Sequence, residues 1–176
     1  MTQGLVFWFS GLSGAGKTTL AENVHERLNK QNIKTSILDG DDVRNRLHKH
    51  LGFSEAEIKE NNALIIGLCA EERKRADVVL VPIISPYAQS RALACEQLSP
   101  GFFEIYVHAE ISELEKRDTK GLYAKARNGE MDNLIGYSSN APYEPPKTPD
   151  LAIDTGLSQI DDATHKLLEF ILSHLS

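Results

Sequence analysis

The sequence predicts an α/β three-layer sandwich of the P-loop NTPase type, a mostly parallel five-stranded sheet with helices on both faces and a lid. Three observations carry this expectation. Short apolar runs alternate with segments of helical period, the pattern of a parallel sheet joined by crossover helices. The first apolar run leads into Gly11-Leu12-Ser13-Gly14-Ala15-Gly16-Lys17-Thr18, a complete G-x-x-x-x-G-K-[ST] loop, and a helical pattern follows it at once. The chain has 176 residues, 41% of them hydrophobic and 25% charged, enough for one core and one domain, 1–176.

The elements follow in order. Leu5 to Phe9 is the first strand, with Trp8 and Phe9 assigned to the core because the run is apolar throughout. Thr19 to Lys30 is the first helix. Thr35 to Leu38 is the second strand and ends at Asp39-Gly40-Asp41-Asp42. Ala56 to Arg75 has helical period, Val78 to Ile84 is the strongest β run, and Ala88 to Leu98 is again helical. Phe102 to Val107 is a strand, Ser112 to Asp118 a helix, and Leu151 to Asp154 a short last strand. The tail from Ile160 to Leu175 carries Leu167, Leu168, Ile171 and Leu175 at helical spacing. Lys120 to Pro149 differs from all of these. It is polar, holds Gly121, Gly129 and Gly136, ends in Pro145-Pro146, and reads as a mobile lid.

Composition excludes several classes. Formal net charge is −6 with no long basic block, which argues against a nucleic-acid polymer as partner. No apolar stretch is long enough to span a bilayer, and the first apolar run has no basic n-region before it. Cys69 and Cys95 lack metal or redox spacing and are expected to be reduced and mostly buried, in a cytoplasmic protein. His48, His50, His165 and His174 lack zinc-site companions, so no ligand role is assigned to them.

Ligands of such sheets bind at the C-terminal ends of the strands. The phosphate loop, Asp39 to Arg44 and Ser85-Pro86-Tyr87 all follow strand ends, so they are expected on one edge. The loop predicts ATP binding through Gly11, Ser13, Gly14, Ala15, Gly16, Lys17, Thr18 and Thr19, because helix-start amides and a lysine neutralise phosphate charge. The Thr18 hydroxyl can ligate Mg²⁺. Asp39, Asp41 and Asp42 face that site. One of them can hold the metal, and another can orient or deprotonate an acceptor hydroxyl. The competing reading is a helix cap with an acidic first turn, a role assigned mainly to Asp42. Arg44 is expected to fork onto a substrate phosphate. The basic run Lys116-Arg117-Asp118-Thr119-Lys120 through Lys125-Ala126-Arg127 is expected to neutralise the transferring group and exclude water, with Arg117 counted in the ATP set.

These pieces together resemble the adenylyl-sulfate (APS) kinase family over nearly the whole chain. The matching stretches are Gly11 to Thr19, Leu38 to Arg44, Leu51-Gly52-Phe53-Ser54, Ile84-Ser85-Pro86-Tyr87 and Arg117-Asp118. Lys120 to Arg127, Gly129-Glu130 and Pro142-Tyr143-Glu144 then follow in the same order. The resemblance implies transfer of the ATP γ-phosphate to a nucleotide ribose 3′-hydroxyl. ATP and Mg²⁺ serve as cofactors, APS is the leading acceptor, and a homodimer is expected. It implies catalytic roles for Asp41, Lys17 and Asp39, and metal contacts from Thr18 and Asp39. The implied acceptor contacts are Arg44, Phe53, Asn61, Ser85, Lys120 and Leu122. The chain departs from the family pattern at Ile58, Ala63-Leu64, Ala88 and Leu134, which replace basic residues and one lid aromatic. Arg91 is a candidate substitute contact. A different nucleotide acceptor, such as cytidine diphosphoramidate, is the alternative, and a nucleotide-binding regulatory domain the remote one.

Overall fold

A computed structural model describes residues 3–175. Five strands form one sheet in the order β2-β3-β1-β4-β5, every neighbouring pair parallel: β1 (Leu5–Ser10), β2 (Thr35–Ile37), β3 (Val78–Pro82), β4 (Phe102–His108) and β5 (Leu151–Asp154). The central strand β1 alternates its side chains between two cores. Phe7 and Phe9 face one side, against Leu20, Val24 and Leu28 of α1 (Lys17–Lys30) and Leu167 and Ile171 of α7 (Ile160–His174). Val6 and Trp8 face the other. There they meet Val43 of α2 (Gly40–Leu47), Ile65, Ile66 and Cys69 of α3 (Glu55–Glu72), and Ala94 and Leu98 of α4 (Ala88–Leu98). Apolar burial on both faces is why β1 and β3 read as continuous hydrophobic runs rather than alternating ones. No helix among the described residues is long and apolar enough to cross a membrane.

Two helices do not stand out in the sequence, where α2 enters only as the competing reading of the acidic segment and the other not at all. Only Val43 of α2 is buried, so that helix carries no apolar stripe to read. Its start is fixed instead by Asp39, whose side chain accepts from the backbone N–H groups of Asp41 and Asp42. The second, α6 (Leu122–Arg127), lies inside the segment read as a flap. Asp118 holds its start by accepting from the backbone N–H groups of Tyr123 and Ala124 at 3.0 and 2.9 Å. The other new boundaries are local. Helix α1 begins at Lys17, and β3 stops at Pro82, which has no N–H for the ladder. The short α5 (Ile111–Arg117) precedes the lid. Cys69 is buried as expected, but Cys95 is exposed on the outer face of α4, and both are free thiols.

Candidate active site

The loop after β1 is held from behind. Gly11 approaches β4 so closely that a Cβ would lie 2.0 Å from the Val107 carbonyl oxygen, so no larger residue fits there. Gly16 caps α1 in the left-handed region at φ 93°, where glycine is favoured. The loop's carbonyl oxygens are occupied by side-chain donors. Lys17 Nζ donates to the oxygens of Gly11 and Leu12, each at 2.8 Å. Tyr123 OH donates to Ser13 O at 2.8 Å, and Thr155 Oγ1 to Ala15 O at 2.9 Å. The first-turn N–H groups of α1, which a helix leaves without intrahelical partners, therefore present an anion site. Burial pushes the Lys17 ammonium down to about 7, the neighbouring positive charge of Lys120 adds to this, and Asp41 and Asp39 oppose it.

Across from the loop stand the carboxylates. Asp39 performs two tasks at once. One oxygen caps α2, and the other accepts from the Thr18 hydroxyl at 2.7 Å. That pairing brings two hard oxygen ligands together, a donor set suited to Mg²⁺ that keeps its remaining positions for phosphate and water. Among the described residues, no group of three His, Cys, Asp or Glu side chains could hold a metal ion by itself. The Asp41 carboxylate is paired with Lys120 Nζ, reaching from the lid. One cavity of about 770 Å³ takes in Lys17, Thr18, Asp39, Asp41, Arg44, Arg117 and Lys120, along with Ser13, Gly14, Gly16 and Thr19. Four of these side chains are basic and two acidic, a set suited to a polyphosphate.

The cavity's far wall contains Phe53, Ile58, Asn61, Asn62, Ser85, Leu122 and Leu134. The Arg44 guanidinium lies 4.6 Å above the centre of the Phe53 ring, which is 59% exposed. Arg44 Nη1 also donates to the carbonyls of Leu51 and Gly52, at 3.0 and 2.6 Å. One end of the fork is thus spent on holding the loop that carries Phe53. Ser85 is buried with φ 45°, a strained conformation for a non-glycine residue, and its hydroxyl accepts from Asn62 Nδ2 at 3.4 Å. A second cavity of about 320 Å³, lined by Glu55, Tyr87 and Asn140 among others, shares Phe53, Ile58, Asn133 and Ile135 with the first.

Several expectations need correction. Gly11 and Ala15, read as ATP contacts, do not line the cavity. Gly11 packs against β4, and Ala15 is fully buried in the core, so both shape the loop from behind. Arg91 does not substitute for a missing acceptor contact. It is buried, donates to Ser85 O at 2.8 Å and Glu144 O at 2.7 Å, and forms an ion pair with Glu104 at 2.7 Å. The competing structural reading also holds: Asp39 is the cap, and Asp42 stands in the acidic first turn of α2. Of the departures from the family pattern, Ile58 and Leu134 face the cavity. Ala63, Leu64 and Ala88 do not, and Leu64 is 40% exposed on the outside of α3. Sequence reasoning also missed Thr155, and it gave no role to Tyr123 and Glu144, although both lie in matching stretches. Thr155 accepts from Arg117 Nη1 at 3.1 Å and so joins that arginine to the phosphate loop. Glu144 is held three times: its N–H donates to Pro86 O, its carboxylate accepts from Ala88 N–H, and its carbonyl accepts from Arg91. No spacing rule announces such contacts, because each joins segments far apart in the chain.

The comparisons with known proteins point one way. The family model described as adenylylsulphate kinase matches residues 3–154. An adenylyl-sulfate kinase of Bacteroides fragilis is 39% identical over 175 residues, covering 99% of this chain and 86% of that protein. One from Halothermothrix orenii is 41% identical, covering 96% and 90%. Among solved structures, the APS kinase CysC of Mycobacterium tuberculosis, in complex with AMPPNP and APS, superimposes with a TM-score of 0.91 at 38% identity. That match covers 98% of this chain and 99% of that one.

Proposed function

The chain belongs to the adenylylsulphate kinase family and is an ATP-dependent phosphotransferase, and from this we propose that it phosphorylates the ribose 3′-hydroxyl of adenylyl sulfate. The observation that carries the reading is the single cavity in which the phosphate loop and the Asp39–Asp41 edge face each other. ATP lies with its phosphates on the α1 amides and Lys17, and Arg117 borders the nucleoside end. Thr18 and Asp39 would hold Mg²⁺, which when bound neutralises charge on the polyphosphate. Asp41 accepts the proton of the acceptor hydroxyl as its oxygen bonds to the γ-phosphorus and ADP departs. Lys120 leaves Asp41 for the incoming anion, and Arg44, Phe53, Asn61, Ser85 and Leu122 hold the acceptor.

A second acceptor is favoured by one observation. Ile58 places an aliphatic side chain between the two cavities, where the family pattern has a cation. A nucleotide whose distal group presents an uncharged amino group beside its single negative charge, such as cytidine diphosphoramidate, fits that wall. We place the enzyme in the cytoplasm, where its thiols stay reduced, and as a homodimer. A coupled ADP-release assay with APS, cytidine diphosphoramidate and plain nucleotides tests the reading, and sedimentation tests the dimer. Turnover with APS is expected to be the highest. ADP release indifferent to any acceptor would overturn the kinase assignment.

A further inference from the structure

We infer that His48 is a positioning residue for the acceptor site, its imidazole Nδ1–H fixing the Asn61 amide so that the amide nitrogen faces the acceptor. The inference rests on the acceptor half of the cavity being where Asn61 works. His48 closes the C-terminal end of α2 and is buried, and its Nδ1 lies 2.9 Å from Asn61 Oδ1 on α3. Asn61 lines the cavity, whereas His48 does not. A carboxamide oxygen can only accept, so the ring nitrogen facing it must carry the proton.

The polarity follows from that one bond. With Oδ1 occupied, Asn61 offers its Nδ2–H groups to the cavity, and N–H donors attract the anionic oxygens of a nucleotide. The reversed amide would turn a carbonyl oxygen toward the same oxygens and repel them. An unrestrained asparagine can take either orientation, and His48 selects one. The same residue also ties α2 to the loop that follows. Its N–H donates to Arg44 O at 3.1 Å, and its carbonyl accepts from Leu51 N–H at 3.0 Å. Arg44, in turn, holds the carbonyls of Leu51 and Gly52 next to Phe53. The ring of His48 therefore links the element carrying Asp41 and Arg44 to the one carrying Asn61.

Two measurements test this. Nitrogen-15 NMR of the ligand-free protein at pH 8 should find the His48 proton on Nδ1, and a proton on Nε2 overturns the inference whatever the acceptor proves to be. In steady-state kinetics, His48→Leu should raise the KM for APS about tenfold, the scale of one lost hydrogen bond to an ordered partner, and leave the KM for ATP unchanged. His48→Asn carries an N–H at the same distance along the side chain and should return the KM to within about twofold of wild type. Equal KM values in the two variants, or a parallel rise for ATP, would show a general loosening and defeat the proposal. A wild type that ignores APS counts against the acceptor reading alone, and the proton position still decides the role of His48.

Discussion

At the scale of single residues, the site is built from side chains that are already engaged before any ligand arrives. Lys17 is the sharpest case. Its ammonium rests on the carbonyls of its own loop, and burial lowers it to about 7 from an ordinary 10.5. Between those two values the ligand-free fold binds fewer protons here than the unfolded chain does. This group therefore makes stability rise with pH across that window. ATP phosphates restore the charge, so ATP binding at pH 8 should take up most of one proton. Calorimetric titration in two buffers of different ionisation enthalpy measures it, and Lys17→Arg, which stays charged, should show none. Absence of uptake in wild type would mean the lysine is charged before ATP arrives. Asp41 gives a second prediction. Its pair with Lys120 is largely exposed, and such pairs contribute only ~0–1 kcal/mol. Asp41→Asn should then shift the melting temperature by less than about 4 °C while lowering kcat at least ~10²-fold. A collapse of ATP affinity with turnover per bound ATP preserved would make Asp41 a metal-holding group instead. The phosphate loop and the acidic strand end were legible in sequence because each is a local pattern. That Asp39 both caps α2 and accepts from Thr18 was not, since the second contact spans the space between two segments.

At the scale of elements, the lid is a segment fastened at both ends. Tyr123 OH binds the phosphate loop at one end, and at the other Glu144 is held by Pro86, Ala88 and Arg91. Between them, residues 129–141 bond in part to one another, with Gly136 N–H donating to Ala141 O and the Leu134 N–H to Ser138 Oγ, and touch the body through Leu134 in the core and Tyr137 OH donating to Glu115 at 3.0 Å. Hydrogen exchange should therefore show amides of 129–141 gaining protection when both nucleotides bind, while those near Glu144 are protected throughout. Equal protection of 129–141 with and without nucleotides would remove the lid from the mechanism. The sequence revealed this segment by its glycines and polarity, yet its helix α6 stayed hidden. Six residues are too few to show a period, and Asp118, which caps them, is masked among other charges.

For the whole molecule, charge is unevenly used: a chain of net charge −6 gathers four basic side chains around one cavity. The acceptor wall is where that supply thins, at Ile58. Ile58→Arg should raise kcat/KM for APS about tenfold, the lower end of the value of a charged hydrogen bond. Kinetics with APS and a cytidine acceptor in parallel would check it, and no gain in a folded variant would show that APS needs no cation there. Leu134→Phe is the poorer choice, because Leu134 is buried in the main core and a larger ring costs ~1–3 kcal/mol of overpacking. The alternation of strands and helices made the architecture readable throughout. The strand order was beyond it, since sequence patterns name strands and not their neighbours.

That order has a consequence for how the protein is made. The earliest of the five strands is the central one, and its partners come late: Leu5 pairs with Val78, and Val6 with Phe102. Val6, Phe7, Trp8 and Phe9 have neither edge of their strand covered until β3 has been synthesised, and one edge stays open until β4 follows. Such long-range parallel pairing folds slowly and leaves an aggregation-prone edge during the wait. Stalled nascent chains ending before Phe102 should be protease-sensitive and bind chaperones, and protection should appear only once β4 has cleared the exit tunnel. Catalytic competence thus depends on a strand that must stay soluble with an open edge until β4 has been made.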